Sequence, residues 1–273
     1  MKITNTIMYS GGVDSFLTYQ FLRNITNISD NMNLLYFNLG ARCNNSEMEL
    51  FNSDNFKKHV IFPVMISDAL NMASMETESA YIPNRNILTA IMTNSVCDSD
   101  RIWIGGSLSD RVNDNNKEVF DKLNDLLSTM HKKEIVIKSP FWNDHKCDVV
   151  KDYVLTNGWK HYNNQQESRK SLIESTFSCY NPLNECQEVT ALVTEETVTY
   201  ETKECLQCPA CFRKCMSLYS GEIFIPMKNN TDANEIIEHY KEEAEREVEK
   251  KDIMYPRYVA TLAYCNRYKQ YMN

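Results

Sequence analysis

A chain of 273 residues with 29 basic and 37 acidic side chains carries a net charge of −8. That balance argues against a broad phosphate-tracking surface, because each phosphate contact needs a Lys or Arg working against a repulsive background. With 42% hydrophobic and 24% charged residues the chain has apolar surface for a sizeable core, which excludes a largely disordered protein.

In chain order, Ile3 to Tyr9 reads as a strand, and Val13, Phe16, Leu17, Gln20 and Phe21 then recur at helical spacing. Leu34 to Leu39 is a second buried strand and Val60 to Ile66 a third. Helical spacing returns in Ile87, Leu88, Ile91, Met92 and Val96, followed by a short strand at Arg101 to Ile104. Val119, Phe120, Leu123, Leu126 and Leu127 mark a helix, Ile135 to Ile137 a strand, and Val149, Val150, Tyr153 and Val154 another helix. Strand and helix in alternation imply crossover units, hence a doubly wound, mostly parallel α/β sheet of Rossmann-like type covered on both faces.

After residue 175 the pattern changes. The stretch VTALVTEETVTYE alternates β-branched residues around Glu195-Glu196 and predicts a hairpin. Residues 231 to 252 predict an acidic helix, and Tyr255 to Tyr271 another whose aromatic stripe suits packing or a dimer contact. The expected organisation is an α/β domain over 1–175, a cysteine-bearing segment with the hairpin over 176–220, and a helical region over 221–273. No stretch approaches the roughly 18 consecutive apolar residues of a membrane span, and the opening MKITNTIMYSGG is too polar for a signal sequence. A cytoplasmic protein without membrane association is expected.

Of only seven glycines, two adjacent pairs, Gly11-Gly12 and Gly105-Gly106, sit directly after predicted strands. In Ser10-Gly11-Gly12-Val13-Asp14-Ser15 the glycines permit a tight turn, successive N–H groups face the loop, and the next helix presents its N-terminus, which together receive a tetrahedral polyanion. The Ser10 and Ser15 hydroxyls add donors. Neither a Walker loop nor the dinucleotide fingerprint fits this pattern.

Ten cysteines, four of them between Cys205 and Cys215, point to metal ligation in a reducing compartment rather than to disulfides. Cys205-x2-Cys208-x2-Cys211 offers three thiolates on a tight knuckle, and a fourth from elsewhere completes a tetrahedral Zn²⁺ site of structural type. Cys179 and Cys186 are candidates, with Cys215 a third; an Fe–S cluster is the other use of such spacing. The five histidines form no metal or acid–base pattern.

The SGGVDS loop resembles that of the PP-loop ATP pyrophosphatases, which cradles the pyrophosphate of ATP during adenylation. That resemblance implies AMP and pyrophosphate as products, and implies that the exit of the second strand, Leu39 and Gly40, borders the adenine. Combined with ESTFSCYNP and the later Cys-x2-Cys-x2-Cys-x-Arg, the chain resembles the QueC family of 7-cyano-7-deazaguanine (preQ0) synthases over roughly residues 5 to 220. Tyr81-Ile82-Pro83-Asn84-Arg85-Asn86, Gly105-Gly106 with Asp110 and Asp114, and Ser139-Pro140-Phe141 with Lys146 are similar to further segments of that family.

The resemblance implies Cys179, Cys205, Cys208 and Cys211 as zinc ligands. It also implies ATP held by Ser10, Gly11, Gly12, Val13, Asp14 and Ser15 with Mg²⁺ as counterion. Asp14, Ser15, Arg85 and Lys146 take catalytic roles, and Arg85, Asn86, Asp110 and Asp114 contact the substrate. The implied reaction joins 7-carboxy-7-deazaguanine and ammonia to give preQ0 through adenylated intermediates in a homodimer, with no direct nucleic-acid partner. Alternatives are a related enzyme acting on another carboxylate or stopping at the amide, a PP-loop tRNA-modifying enzyme, and a zinc-bearing scaffold without turnover. The sequence departs from the family in three places. Asn84 stands where the family has glycine before its Arg, Arg111-Val112-Asn113-Asp114 replaces Ser-Gly-Tyr-Pro-Asp, and 25 residues separate Cys179 from Cys205 where the family has a much shorter spacing. The last is tolerable because loop-closure entropy grows only logarithmically with length.

Overall fold

The computed structural model describes residues 5–25, 32–39, 41, 43–51, 61–65, 82, 84–108, 113–194 and 196–272. The chain divides into two compact units, Met1–Asp144 and His145–Asn273.

In the first unit, β1 (Asn5–Met8), β2 (Met32–Asn38), β3 (Ile61–Met65), β4 (Arg101–Trp103) and β5 (Val136–Lys138) form one sheet in the order β3-β2-β1-β4-β5. Every pairing in it is parallel. The connecting helices are α1 (Val13–Arg23), α2 (Asn44–Phe51), α3 (Arg85–Cys97) and α4 (Lys117–His131). Alternation along the strands sends neighbouring residues to opposite faces. Ile7, Leu34 and Trp103 pack with Tyr19 and Leu22 of α1, whereas Ile102, Ile104 and Ile137 pack with Ala90 of α3 and Phe120, Leu123 and Leu127 of α4. Both faces are therefore covered, as the continuous apolar runs of the strands require.

The order turns back at β1: the chain builds outward through β2 and β3, then returns to place β4 on the other side of β1. The loops after β1 and β4 thus splay apart at the carboxyl edge of the sheet, where open α/β sheets bind their ligands.

The second unit holds α5 (Lys146–Leu155), a kinked turn over Asn157–Lys160, α6 (Gln165–Glu174), β6 (Gln187–Val193), β7 (Glu196–Thr202), α7 (Pro209–Tyr219), β8 (Ile223–Phe224), α8 (Thr231–Glu247) and α9 (Tyr255–Met272). β6 and β7 form the expected antiparallel hairpin, and β8 adds to β6 to give the order β7-β6-β8. Val189, Ala191 and Val193 of β6 face inward while Thr190 faces out. The aromatic stripe of α9 is spent inside the unit: Tyr258, Tyr264 and Tyr268 are buried, and the Tyr264 hydroxyl donates to the Ile225 carbonyl at 2.8 Å. Phe212 of α7 stacks on Tyr240 of α8 at 4.6 Å and meets Tyr264 edge-on.

Four elements escape the periodicity reading: α2, α6, α7 and the short β8. α6 is mostly polar, and in α7 the cysteines of the knuckle disguise an amphipathic helix. The helix expected over 231–252 ends at Glu247 and passes into a 3₁₀ turn, Val248–Lys250. The expected segment limits at 175 and 220 do not coincide with the division at Asp144, because α5 and α6 pack with the helices of the second unit. Ile3, Val60, Ile66 and Glu195, named in the expected strands and hairpin, lie outside the described residues.

Candidate phosphate loop and cysteine centre

The loop after β1 is the candidate anion receiver. Gly11 adopts φ +78°, a conformation open to glycine, and Gly12 stands at the N-cap of α1 with no side-chain hydrogen bond closing the helix end. First-turn N–H groups of a helix without such a cap, together with the positive end of its dipole, are the elements of a phosphate site. The Ser15 hydroxyl donates to the Gly12 carbonyl at 3.0 Å and lies 3.3 Å from the Ser10 hydroxyl, which fixes the turn. Val13 and Ser15 are buried, Asp14 half-buried and Ser10 exposed.

The second glycine pair belongs to the same construction. A Cβ on Gly105 would lie 2.7 Å from the Ser15 nitrogen and 2.9 Å from the Asp14 carbonyl carbon, so the loop after β4 rests directly on the first turn of α1. Gly106 sits under Trp142 and Asn115 in the same way, and its N–H donates to the Ser139 hydroxyl at 3.4 Å. Ser139-Pro140-Phe141 therefore acts as a brace for this loop, through the Ser139 hydroxyl and a bridge between Ser107 and Phe141.

Arg85 is the first residue of α3, and Asn84 before it has φ +58°. This explains Asn where the family has Gly: the position demands left-handed backbone, which Asn tolerates better than other side chains. A cation at a helix N-terminus opposes the dipole, so the placement of Arg85 is unfavourable for the helix by itself. Asp114, 3% exposed, closes this helix end. Its two oxygens accept from the backbone N–H and the Nδ2 of Asn86 at 3.0 and 3.1 Å. The structure thus brings Asn86 and Asp114 together beside Arg85. Leu39 is buried with Leu35, Phe37 and Ile82 just past β2. Lys146 opens α5, in the second unit. Gly40, Tyr81, Pro83, Asp110, Arg111 and Val112 lie outside the described residues.

In the second unit the Sγ atoms of Cys179, Cys205, Cys208 and Cys211 all lie within 4.8 Å of one another. Cys208 is the N-cap of α7, Pro209 takes the first helical position, where its missing N–H costs nothing, and Cys211 follows within the first turn. Cys179 arrives from the segment after α6 and accepts N–H bonds from Asn181 and Cys205 at 3.3 and 3.2 Å. Hydrogen bonds from Cys179 above all, then from Cys205 and Cys211, hold the Cys208 thiol far below its ordinary range. Of the candidates left open by spacing, Cys186 is exposed and Cys215 is buried one turn further along α7, outside the four. The separation of 3.9 Å between the Cys205 and Cys211 sulfurs matches the roughly 3.8 Å edge of a tetrahedron built on Zn–S bonds of about 2.3 Å.

A feature missed by sequence reasoning braces this centre. Glu204 and Lys214, each 1% exposed, form an ion pair at 2.8 Å. Glu204 also accepts from the Ser178 N–H at 2.7 Å, and Lys214 donates to the Thr176 carbonyl at 2.7 Å. The pair thereby ties the segment carrying Cys179 to the knuckle. The signal available was the charged pair Arg213-Lys214 set among the apolar residues of CFRKCM.

The fold and loop define a parallel α/β protein with a glycine-bearing turn, a candidate phosphate site, at its topological switch point. A family model described as queuosine biosynthesis protein QueC matches residues 4–220, and the chain belongs to that family. Membership implies a PP-loop enzyme that uses ATP with Mg²⁺ in nucleotide modification. A search of curated proteins finds no match. Among solved structures, the U34-tRNA thiolase NcsA from Methanococcus maripaludis is similar at 14% identity and a TM-score of 0.37. That likeness covers 61% of this chain, which spans 63% of the thiolase chain. A predicted subunit of tRNA methyltransferase from Methanocaldococcus jannaschii is similar at 13% identity and a TM-score of 0.34, over 60% of this chain and 91% of that one. Among the described residues no helix is long and apolar enough to cross a membrane.

Proposed function

We propose that the protein converts 7-carboxy-7-deazaguanine and ammonia to preQ0, with one ATP cleaved to AMP and pyrophosphate for each oxygen removed. Neither oxygen of a carboxylate leaves unaided. Adenylation makes the first a phosphate leaving group, ammonia displaces AMP to give the amide, and adenylation of the amide oxygen lets the second depart as the nitrile forms. The observation that carries this reading is the Ser10–Ser15 turn at the switch point, backed by Gly105, in a chain of the QueC family. Its N–H groups and Ser10 and Ser15 hydroxyls would hold the departing pyrophosphate, stabilising charge with groups already in place. Mg²⁺ supplies the counter-charge for the triphosphate. Arg85 would hold the substrate carboxylate or the α-phosphate, and Asn86 and Asp114 would fix and line that end of the site.

The cysteine centre would hold one Zn²⁺ in a closed, structural role. The sulfurs lie too close together to enclose an iron–sulfur core with its own sulfides, which favours a single ion. Four protein ligands leave no open position for substrate.

Incubation with ATP, Mg²⁺, ammonium and 7-carboxy-7-deazaguanine should release pyrophosphate and yield a product with the mass of preQ0. Amide alone, or AMP formed only with tRNA, would move the assignment to the corresponding alternative. No substrate-dependent AMP would leave a scaffold. The Asp14→Ala variant should abolish turnover and keep full zinc content, since loop and cysteine centre lie in different units.

A further inference from the structure

At the carboxyl end of β2, three side chains converge that the reading above leaves without a role. The Tyr36 hydroxyl donates to Glu47 Oε2 at 2.7 Å, and Asn44 Nδ2 donates to the same oxygen at 3.2 Å and to the Tyr36 hydroxyl oxygen. Asn44 is 5% exposed, and with its Nδ2 engaged in this way its Oδ1 is buried and finds no donor among the described residues. An acceptor buried without a donor is destabilising, so the cluster is built short of one donor. A carboxylate, a phenol oxygen and an amide oxygen without a donor, gathered in one cluster, suit a small cation that donates hydrogen bonds in several directions. A divalent metal ion fits poorly, since it asks for more oxygen ligands and usually more carboxylate.

Arg85 selects among the remaining candidates. Its guanidinium acts electrostatically on the Glu47 carboxyl. A second fixed cation so close disfavours any guest that must keep its charge, and favours one that can hand over a proton.

We propose that Tyr36, Asn44 and Glu47 form an ammonium-binding site at which the Glu47 carboxylate takes a proton from bound ammonium and releases ammonia toward the acyl group held by Arg85. This rests on the function proposed above. Ammonium and the carboxylate give ammonia and the carboxylic acid. The ammonia lone pair then forms the C–N bond to the acyl carbon as the C–O bond to AMP breaks, AMP leaving with that electron pair. The surplus proton of the new amide and the proton on Glu47 pass to solvent. Burial is the main influence on Glu47 and raises its affinity for a proton, with Tyr36, Cys43, Arg85 and Asn44 acting against it. Burial, aided by Glu47 and Cys43, keeps the Tyr36 hydroxyl protonated as a donor.

The test compares ammonium with hydroxylamine, a nucleophile already neutral at pH 7 that needs no base. Full-length wild type, Glu47→Gln and Tyr36→Phe are assayed with ATP, Mg²⁺ and 7-carboxy-7-deazaguanine. Glu47→Gln should lower kcat/KM for ammonium about 100-fold, in the range of lost general-base catalysis, and hydroxylamine turnover only a few-fold. The hydroxylamine-to-ammonium ratio then rises by well over tenfold. With ammonium, the rate of this variant should climb with pH in step with free ammonia, where wild type levels off. Tyr36→Phe keeps the ring in place and should raise the same ratio several-fold, which serves if the Gln variant folds poorly. Equal losses with both nucleophiles in both variants would overturn the ammonium site alone. Absence of substrate-dependent pyrophosphate from wild type would overturn the proposed function and this site with it.

Discussion

Gly105 shows how one missing Cβ can set the geometry of a loop six residues long. With the Ser15 nitrogen 2.7 Å from where that carbon would be, Gly105→Ala must push the first turn of α1 away from the strand end. A displacement of about 1 Å at a positioned phosphate costs on the order of 100-fold in rate. Pyrophosphate release should fall by about that factor while zinc content stays at the wild-type level. The buried thiols of Cys147 and Cys265 make a second prediction at this scale. Burial raises them from an ordinary value of 9.0 to about 11 and about 12. Unfolded thiols ionise near 9.0 while the folded ones keep their protons, so between those values the folded state binds more protons and stability falls as pH rises. Thermal unfolding in reductant should show a Tm that is level below pH of about 8.5 and declines above about 9, less steeply in the Cys147→Ala/Cys265→Ala double variant.

Among the elements, α7 does the most with the least regular sequence. Its first turn supplies Cys208 and Cys211, its inner face supplies Phe212 to the aromatic core, and Lys214 reaches back to Glu204 and the Thr176 carbonyl. Lys214→Met leaves the Glu204 carboxylate buried without its cation, a change that costs about 3–5 kcal/mol. The midpoint of chemical denaturation should drop accordingly, and adding Glu204→Gln should restore much of the loss by removing the stranded charge. A surface ion pair such as Lys122–Glu118 on α4 should show almost no effect when cut, since both partners are solvated. The hairpin of β6 and β7 fills the long interval between Cys179 and Cys205 and is secured by β8, which pairs Leu192 with Phe224 and Val193 with Ile223.

For the whole molecule, the two compact units carry the two candidate sites separately: the Ser10–Ser15 turn lies in the first and all four clustered cysteines in the second. Structural zinc contributes folding free energy directly. Chelation should therefore expose backbone amides of residues 176–219 to hydrogen exchange and lower the Tm, while β1, β2 and β4 keep their protection. Loss of protection in those three strands at the same chelator concentration would contradict independent units. The sequence by itself determined the alternation of strand and helix, the phosphate turn and the cysteine knuckle, because each is written in neighbouring residues: period-2 and period-3.6 burial, adjacent glycines after a strand, and thiols two residues apart. The tertiary structure brings Cys179, the choice that the family resemblance implied, to the other three cysteines, and it alone decided that Gly105 abuts Ser15, that Asp114 grips Asn86, and that Glu204 meets Lys214 in the core. Those contacts join residues 10 to 90 positions apart, and sequence spacing carries no record of which distant side chains the packing of a sheet and its helices will press together.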